Sequence, residues 1–225
     1  MRISTHWLLW GAAILAPAIA EGAAIAWSAG PLYNGASGFN GIQTNGVLVA
    51  AVNWGSSGPA LTVDPTGINI TFQPGHVAAL NTNALFGSAG STDANWNAIV
   101  NDADWNFGGH FSVTPFLTGL TIGRTYQLQL FANDDRFPAR TQVYDDLVGN
   151  SSPIVTQGDF RSTLGVFTAD AATQDLGYSS ADSTLFAASV LRDITASQTS
   201  APEPASGLCT FIGAMFLGLA RRLSR

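Results

Sequence analysis

The densest group of charged side chains lies in residues 133–146, directly after an alternating stretch that predicts a strand. It includes Asp134, Asp135 and Arg136. Loops at strand ends often carry binding residues. Aspartate and asparagine oxygens suit Ca²⁺, which takes about six to eight oxygen ligands, and the same groups can hydrogen-bond sugar hydroxyls. A third interpretation is a solvated turn in which Arg136 pairs with a neighbouring aspartate. The sequence leaves the three interpretations open.

Aromatic residues form a second candidate site. Trp96, Trp105 and Phe107 lie close in sequence to one another, and they could form a platform on which a sugar ring stacks. Trp54 is a further candidate for such a platform. Aromatic rings also dominate hydrophobic cores, because each ring buries a large apolar area. Core packing is therefore the alternative interpretation of the same residues.

Catalytic motifs give little support for an enzyme. His76 and His110 are the only histidines of the central region, and Asp104 is near His110 in sequence. The sequence has no Gly-x-Ser-x-Gly elbow and no His-Glu-x-x-His zinc motif. We therefore expect a protein that is not an enzyme and that needs no cofactor, with Ca²⁺ as the one candidate ion. A divergent glycan-active hydrolase is an alternative.

The composition excludes several other classes of protein. The 225 residues include fifteen acidic and nine basic residues, for a formal net charge of −6, and all nine basic residues are arginine. Nucleic-acid binding needs clustered positive charge, so no nucleic-acid partner is expected. A single cysteine excludes a disulfide scaffold and a multi-cysteine zinc site. The 46% of hydrophobic residues argues against a disordered chain.

Alternation of apolar and polar residues predicts an all-β central domain. The strands are expected at residues 46–54, 68–72, 110–116, 124–132, 164–168 and 185–191, with weaker ones at 141–147, 154–156 and 174–178. One short helix is expected to begin at an N-cap on Thr92 and to bury Trp96, Ile99 and Val100 on one face. This set of short strands fits a two-sheet jelly-roll β-sandwich with one short helix.

The N-terminal residues have the features of a secretory signal peptide. Arg2 supplies the positive charge, residues 8–16 form an apolar run, and Ala18 and Ala20 provide the small residues of a cleavage site. We place the signal peptide at residues 1–26. An exported protein is therefore expected.

The C-terminal residues combine a tripeptide, an apolar helix and a basic cluster: Pro202, Glu203 and Pro204 in a linker at residues 195–206, then residues 207–225 with Arg221 and Arg222. This combination resembles a PEP-CTERM sorting signal. The resemblance implies an exported protein of a Gram-negative bacterium that makes extracellular polysaccharide. It also implies two partners, the inner membrane, which the helix enters transiently, and exosortase, which processes the chain near the tripeptide. The final location would be the cell surface or extracellular matrix.

The central domain, residues 27–194, has a second resemblance. The series Leu-Thr-Ile-Gly-Arg-Thr-Tyr-Gln-Leu-Gln at residues 120–129, followed by Asn-Asp-Asp-Arg at 133–136, is similar to exported PEP-CTERM proteins with galactose-binding-like jelly rolls. Residues 187–190 depart from that pattern. The resemblance implies a non-catalytic role in extracellular polysaccharide, by carbohydrate binding or as a structural protein. A biofilm protein that self-associates without binding glycan is the alternative.

Overall fold

The computed structural model describes residues 22–83 and 85–198, which form a β-sandwich of two sheets with one short helix of two turns. The predicted all-β sandwich is confirmed. The cleavage pattern at Ala18 and Ala20 lies outside the described residues, and so does the sorting segment from residue 199 onward. Within the part of the chain that the structure describes, no helix is long and apolar enough to cross a membrane.

The larger sheet has seven strands. In spatial order they are β1 (Ala26–Leu32), β10 (Arg161–Thr168), β7 (Thr125–Phe131), β12 (Ala188–Asp193), β2 (Val47–Trp54), β4 (Ile70–Gly75) and β3 (Leu61–Val63). Neighbouring strands are antiparallel except for β2 and β4, which run parallel over Val52–Trp54. The central strand β7 is buried on both faces from Leu128 to Phe131, so its residues are apolar or hydrogen-bonded on either side.

The smaller sheet has five strands. In spatial order they are β5 (Asn81–Asn83), β6 (Ala103–Thr118), β11 (Thr173–Phe186), β8 (Thr141–Asp145) and β9 (Val155–Thr156). Strand β6 is longer than the seven residues that periodicity predicted, and β11 pairs with it over almost its whole length. A bulge between Ser180 and Ser183 shifts the register of this pair. The extra residue of the bulge lies in β11.

The short helix α1 (Ala94–Asn101) begins at Asp93. The Asp93 carboxylate accepts the backbone N–H of Trp96 at 3.0 Å, so Asp93 is the N-cap and the prediction of Thr92 is wrong. Thr92 instead donates its hydroxyl to the Ala36 carbonyl. The predicted buried face is confirmed: the three fully buried apolar residues of α1 are Trp96, Ile99 and Val100. A short helix α2 (Thr195–Gln198) follows the last strand.

Two strand boundaries differ from the sequence prediction. Ile68 is 45% exposed and precedes β4, because residues 65–67 form a tight turn that ends with the Ile68 N–H on the Pro65 carbonyl. The stretch at residues 185–191 is two strands, since the chain passes at Ala187 from the smaller sheet to the larger one. The hydrophobic run is continuous across Ala187 and so gives no sign of this crossing.

Stacked aromatic rings run through the core between the sheets. Trp27 packs on Tyr144, Tyr144 on Phe186, Phe186 on Phe116 and Phe116 on Trp54, with ring centroids 5.1 to 6.5 Å apart. A second hydrophobic cluster surrounds α1 and Trp96. The aromatic row ends at Trp54, which is only partly buried and lies at the sandwich surface.

The β-sandwich begins within the last residues of the expected signal peptide, which was placed at residues 1–26. Ile25 is 1% exposed, and Ala23 is also buried in the core. The Ile25 N–H donates to the Asp146 carboxylate at 2.8 Å. Residues 23–26 are therefore part of the folded body.

Candidate functional site

The structure places Asp134 inside an ion-pair cluster. Its side chain is fully buried, and Arg136 Nε lies 2.9 Å from Asp134 Oδ1. Arg140 Nη1 lies 3.7 Å from the other oxygen, Oδ2. Asp134 therefore forms ion pairs with two arginines of its own loop. The pair with Arg136 is the one expected from the interpretation of these residues as a turn. Neither of its oxygens faces solvent as a ligand would require.

The calcium hypothesis for Asp134 and Asp135 gains no support from this geometry. Two guanidinium groups beside Asp134 oppose a divalent cation. The Asp135 side chain is packed against Gly87, where a Cβ atom would come within 1.9 Å of its carboxylate. Among the residues the structure describes, no group of three or more His, Cys, Asp or Glu side chains could hold a metal ion.

Trp96 is a core residue and cannot form part of a sugar platform. Its side chain is 0% exposed, its Nε1–H donates to the Tyr33 carbonyl at 3.0 Å, and its ring packs against Phe131. The prediction of Trp96 as a ligand contact is therefore wrong. Trp105 is partly buried and packs edge-on against Phe107, whose side chain is 69% exposed.

The structure connects the predicted charged loop with Phe107 of the predicted aromatic cluster through Ser183. Ser183 lies directly opposite Phe107 in the pairing of β11 with β6, so their side chains share a face of the sheet. Arg140 Nη1 donates to Ser183 Oγ at 3.0 Å. We call the surface made by Phe107, Arg136, Phe137, Arg140 and Asp182 the arginine–aromatic face. It includes a cleft of about 360 Å³.

The two histidines each contact an aspartate, but not in the arrangement that the sequence suggests. His76 Nδ1 lies 2.8 Å from Asp104 Oδ1, although the two residues are 28 positions apart. His110, which is nearer to Asp104 in sequence, instead contacts Asp145 with 3.0 Å between Nε2 and Oδ2. The chain thus has a His76–Asp104 pair and a separate, more exposed His110–Asp145 pair.

His76, which Asp104 holds, borders an open surface pocket with a volume of about 480 Å³. We call it the His76 pocket. Its lining residues come from the end of β2, the turn after β4 and the second half of β6: Trp54, His76, Val77, Ala78, Ala79, Ser112, Val113, Thr114, Pro115 and Phe116. Ligand sites commonly have volumes of roughly 300–1,000 Å³ and combine apolar walls with a few polar groups.

Asp104 fixes the polar edge of the His76 pocket. Its side chain is fully buried, and removal from water raises its pKa, although hydrogen bonds from the Val77 N–H and from His76 oppose the rise. When Asp104 is ionised it accepts from His76 Nδ1–H, which leaves Nε2 as the nitrogen available to a ligand. His76 is 42% exposed in its side chain, so a ligand can reach it.

Trp54 forms an apolar wall of the same pocket. Its ring stacks on Phe116 at 5.1 Å, and its Nε1–H donates to Ser189 Oγ at 2.9 Å. These two contacts hold the indole in one orientation. Sequence reasoning named Trp54 as a platform candidate but missed His76, because no short-range motif connects it with Asp104.

Comparison with known proteins adds little to this geometry. No protein-family model matches the chain, and no curated protein matches it. Among solved structures, a calcium-binding mutant of Bacteroides uniformis beta-glucuronidase 2 with two aspartate-to-alanine substitutions matches at 15% identity with a TM-score of 0.44. The match covers 64% of this chain and 18% of that chain, so the present chain spans less than a fifth of that protein's length. A likeness of this size says nothing about ligand or activity.

Proposed function

We propose that the β-sandwich binds carbohydrate, in extracellular polysaccharide, at the His76 pocket. The observation that carries this proposal is the position of a fixed tryptophan beside a fixed histidine in an open pocket. The Trp54 ring supplies an apolar surface of the kind that packs against the C–H groups of a sugar. His76, held by Asp104, supplies a hydrogen-bonding group at a defined place beside that surface.

The other polar groups of the pocket fit hydroxyl-rich ligands. Ser112 and Thr114 lie on the same side of β6, are exposed and line the pocket, and each has a hydroxyl that donates and accepts hydrogen bonds. No arginine lines this pocket. The chemistry therefore suits neutral sugar hydroxyls better than acidic groups.

A binding screen on a panel of bacterial and algal polysaccharides tests the proposal. We expect the purified full chain to bind at least one glycan and to release no product from it. The His76–Asp104 pair is also an arrangement that acid–base catalysis uses. Turnover that is lost in Asp104→Asn would therefore replace the binding role with a hydrolase. Concentration-dependent assembly without any glycan binding would favour the self-associating structural protein.

The proposed location is the cell surface or extracellular matrix, reached by export and exosortase processing. Its support comes from the sequence patterns at Ala18 and Ala20 and at residues 202–204 followed by Arg221 and Arg222. Intact-mass spectrometry of the secreted protein tests this. We expect a mature chain that ends near Pro204, and retention of Arg225 would contradict the processing.

A further inference from the structure

The arginine–aromatic face holds two arginines that keep N–H groups free for a ligand. The described residues include five arginines against thirteen aspartates. Three arginines bind an aspartate or backbone carbonyl oxygens elsewhere: Arg124, Arg161 and Arg192. The other two, Arg136 and Arg140, lie together on one cleft. A pair of arginines is unexpected on so acidic a surface.

The hydrogen bonds of the pair leave donors free. Arg136 donates hydrogen bonds from Nε and Nη2 to the Asp134 carboxylate, and Arg140 donates one from Nη1 to Ser183 Oγ. Within the described ranges, 22–83 and 85–198, no hydrogen bond to a protein acceptor is found for Arg136 Nη1 or Arg140 Nη2. Each guanidinium therefore has at least one N–H group for a ligand.

The charges at the cleft are two guanidinium groups and two carboxylates, which sum to zero. The Asp134 carboxylate is buried and pairs with both guanidinium groups. Asp182 also lines the cleft, but it is exposed and, in the described structure, makes no ion pair with either arginine. Because solvent screens the exposed Asp182 charge, the free N–H groups of the two arginines are what a negatively charged ligand would meet, with Asp182 as an opposing group.

Aromatic rings hold the two guanidinium groups in place. The Arg140 guanidinium lies 3.9 Å from the centre of the Phe137 ring, and that of Arg136 lies 4.5 Å from the centre of the Phe86 ring. Stacking of this kind fixes the plane of the guanidinium and reduces the entropy lost on binding. Phe107, which lies opposite the Ser183 that Arg140 contacts, is 69% exposed.

We propose that this cleft binds the carboxylate of an acidic sugar unit in a polysaccharide. A planar carboxylate can accept charge-assisted hydrogen bonds from the guanidinium N–H groups that the fold leaves free. The site is separate from the His76 pocket and takes a different chemical group. An acidic polymer with neutral stretches would therefore occupy both sites, and the two contacts would add by avidity.

Titration of the purified full chain with polygalacturonate and with neutral dextran tests this proposal. We expect binding of polygalacturonate that weakens as salt rises, because the contact is ionic and exposed. Arg140→Gln is expected to weaken it about tenfold, the equivalent of one charge-assisted hydrogen bond. Arg124→Gln, which removes the same charge at the start of β7, the end of that strand opposite to the loop of the cleft, is the matched control and should leave affinity unchanged.

A variant that is expected to bind more tightly separates an effect on the cleft from a loss of folding, because a misfolded protein would not gain affinity. Asp182→Asn removes the opposing charge at an exposed position, so it should tighten binding of polygalacturonate about two- to fivefold without changing stability. His76→Gln should leave this binding within about twofold, which separates failure of this site from failure of the His76 pocket. Equal effects of Arg140→Gln and Arg124→Gln, no effect of Asp182→Asn, or tighter binding of dextran sulfate than of polygalacturonate would overturn the proposal.

Discussion

Asp104 accepts two hydrogen bonds from the turn that follows β4, one from His76 Nδ1 at 2.8 Å and one from the Val77 N–H at 2.6 Å. A fully buried carboxylate on one sheet thereby fixes an exposed imidazole that comes from the end of a strand of the other sheet. The cost of burying the charge is offset by these two donors. The relationship joins fold and proposed function, because the same contact closes the sandwich and positions the polar edge of the pocket.

Substitutions of Trp96 should lower the stability of the fold without removing a contact to carbohydrate. Trp96→Ala removes a fully buried ring from the second hydrophobic cluster, and we expect the free energy of unfolding to fall by about 3–5 kcal/mol. Trp96→Phe keeps most of the packing and should lose less. Urea unfolding measures both values. A loss below about 1 kcal/mol for the alanine variant would mean that the ring is not packed as described.

Asp134 and Asp135 should differ sharply although they are adjacent. Asp134→Asn removes the buried charge that binds two arginines, so we expect a loss of about 1.5–3 kcal/mol, as for hydrogen bonds to charged groups. Asp135→Asn, at an exposed position, should change stability by less than about 0.5 kcal/mol. Thermal melts in calcium and in chelator should coincide. A calcium-dependent rise in Tm that Asp134→Asn abolishes would restore the calcium hypothesis.

The N-terminal boundary of the body can be tested at Ile25. Ile25→Ala should lower the free energy of unfolding by about 2–4 kcal/mol, because the side chain is buried in the main core. Gly22→Ala is not a suitable control, since a Cβ there would meet Gln174, whereas Ala24→Ser is exposed and should be nearly neutral. Signal cleavage after Ala20 would keep Ile25 in the body, and N-terminal sequencing of the secreted protein checks the site.

Asp193 gives a pH-dependent contribution to stability. Hydrogen bonds from Thr195 and from Arg124 lower the pKa of Asp193 to about 2, from a usual value of 3.8. A carboxyl whose pKa is lower in the folded than in the unfolded chain adds stability that is complete above the unfolded pKa. That stability is lost as the pH falls through the folded pKa. The part of this stability that comes from Arg124 should therefore be present at pH 7 and be lost progressively between about pH 5 and pH 1.

The measurement compares Arg124→Gln with the unchanged chain by urea unfolding at several pH values. Because the Arg124 side chain is 54% exposed and its ion pair is screened by solvent, we expect only a small loss of stability at pH 7. Arg161→Gln serves as the control, since Arg161 binds a backbone carbonyl and its effect should not vary over this pH range. A difference for Arg124→Gln that is as large at about pH 1 as at pH 7 would show that the carboxylate is not its partner.

The fold was largely predictable because strands and helices leave periodic patterns. Alternation found β2, β7 and β10, and the spacing of Trp96, Ile99 and Val100 found α1. The candidate sites were less predictable. Asp104 and His76 meet only because two sheets close on each other, and no local spacing encodes that contact.

The same limit applies to charged and aromatic residues. Asp134 and Trp96 looked like ligand contacts because charge and aromaticity are properties of a residue, whereas burial is a property of the fold. The structure shows both to be fully buried. Arg140 and Phe107, from two separate predicted clusters, are connected through Ser183, which accepts from Arg140 and lies opposite Phe107 in the register of β6 and β11.

Calorimetric titration of the glycan that binds most tightly in the panel, against the full chain and two histidine variants, tests the central claim most directly. The variants are His76→Gln, in the pocket, and His110→Gln, in the other histidine–aspartate pair. We predict that His76→Gln raises Kd about tenfold, as expected for one lost hydrogen bond and its unpaired partner, and that His110→Gln changes it less than twofold. Equal Kd values for the two variants, or binding of no glycan by the unchanged chain, would contradict the account.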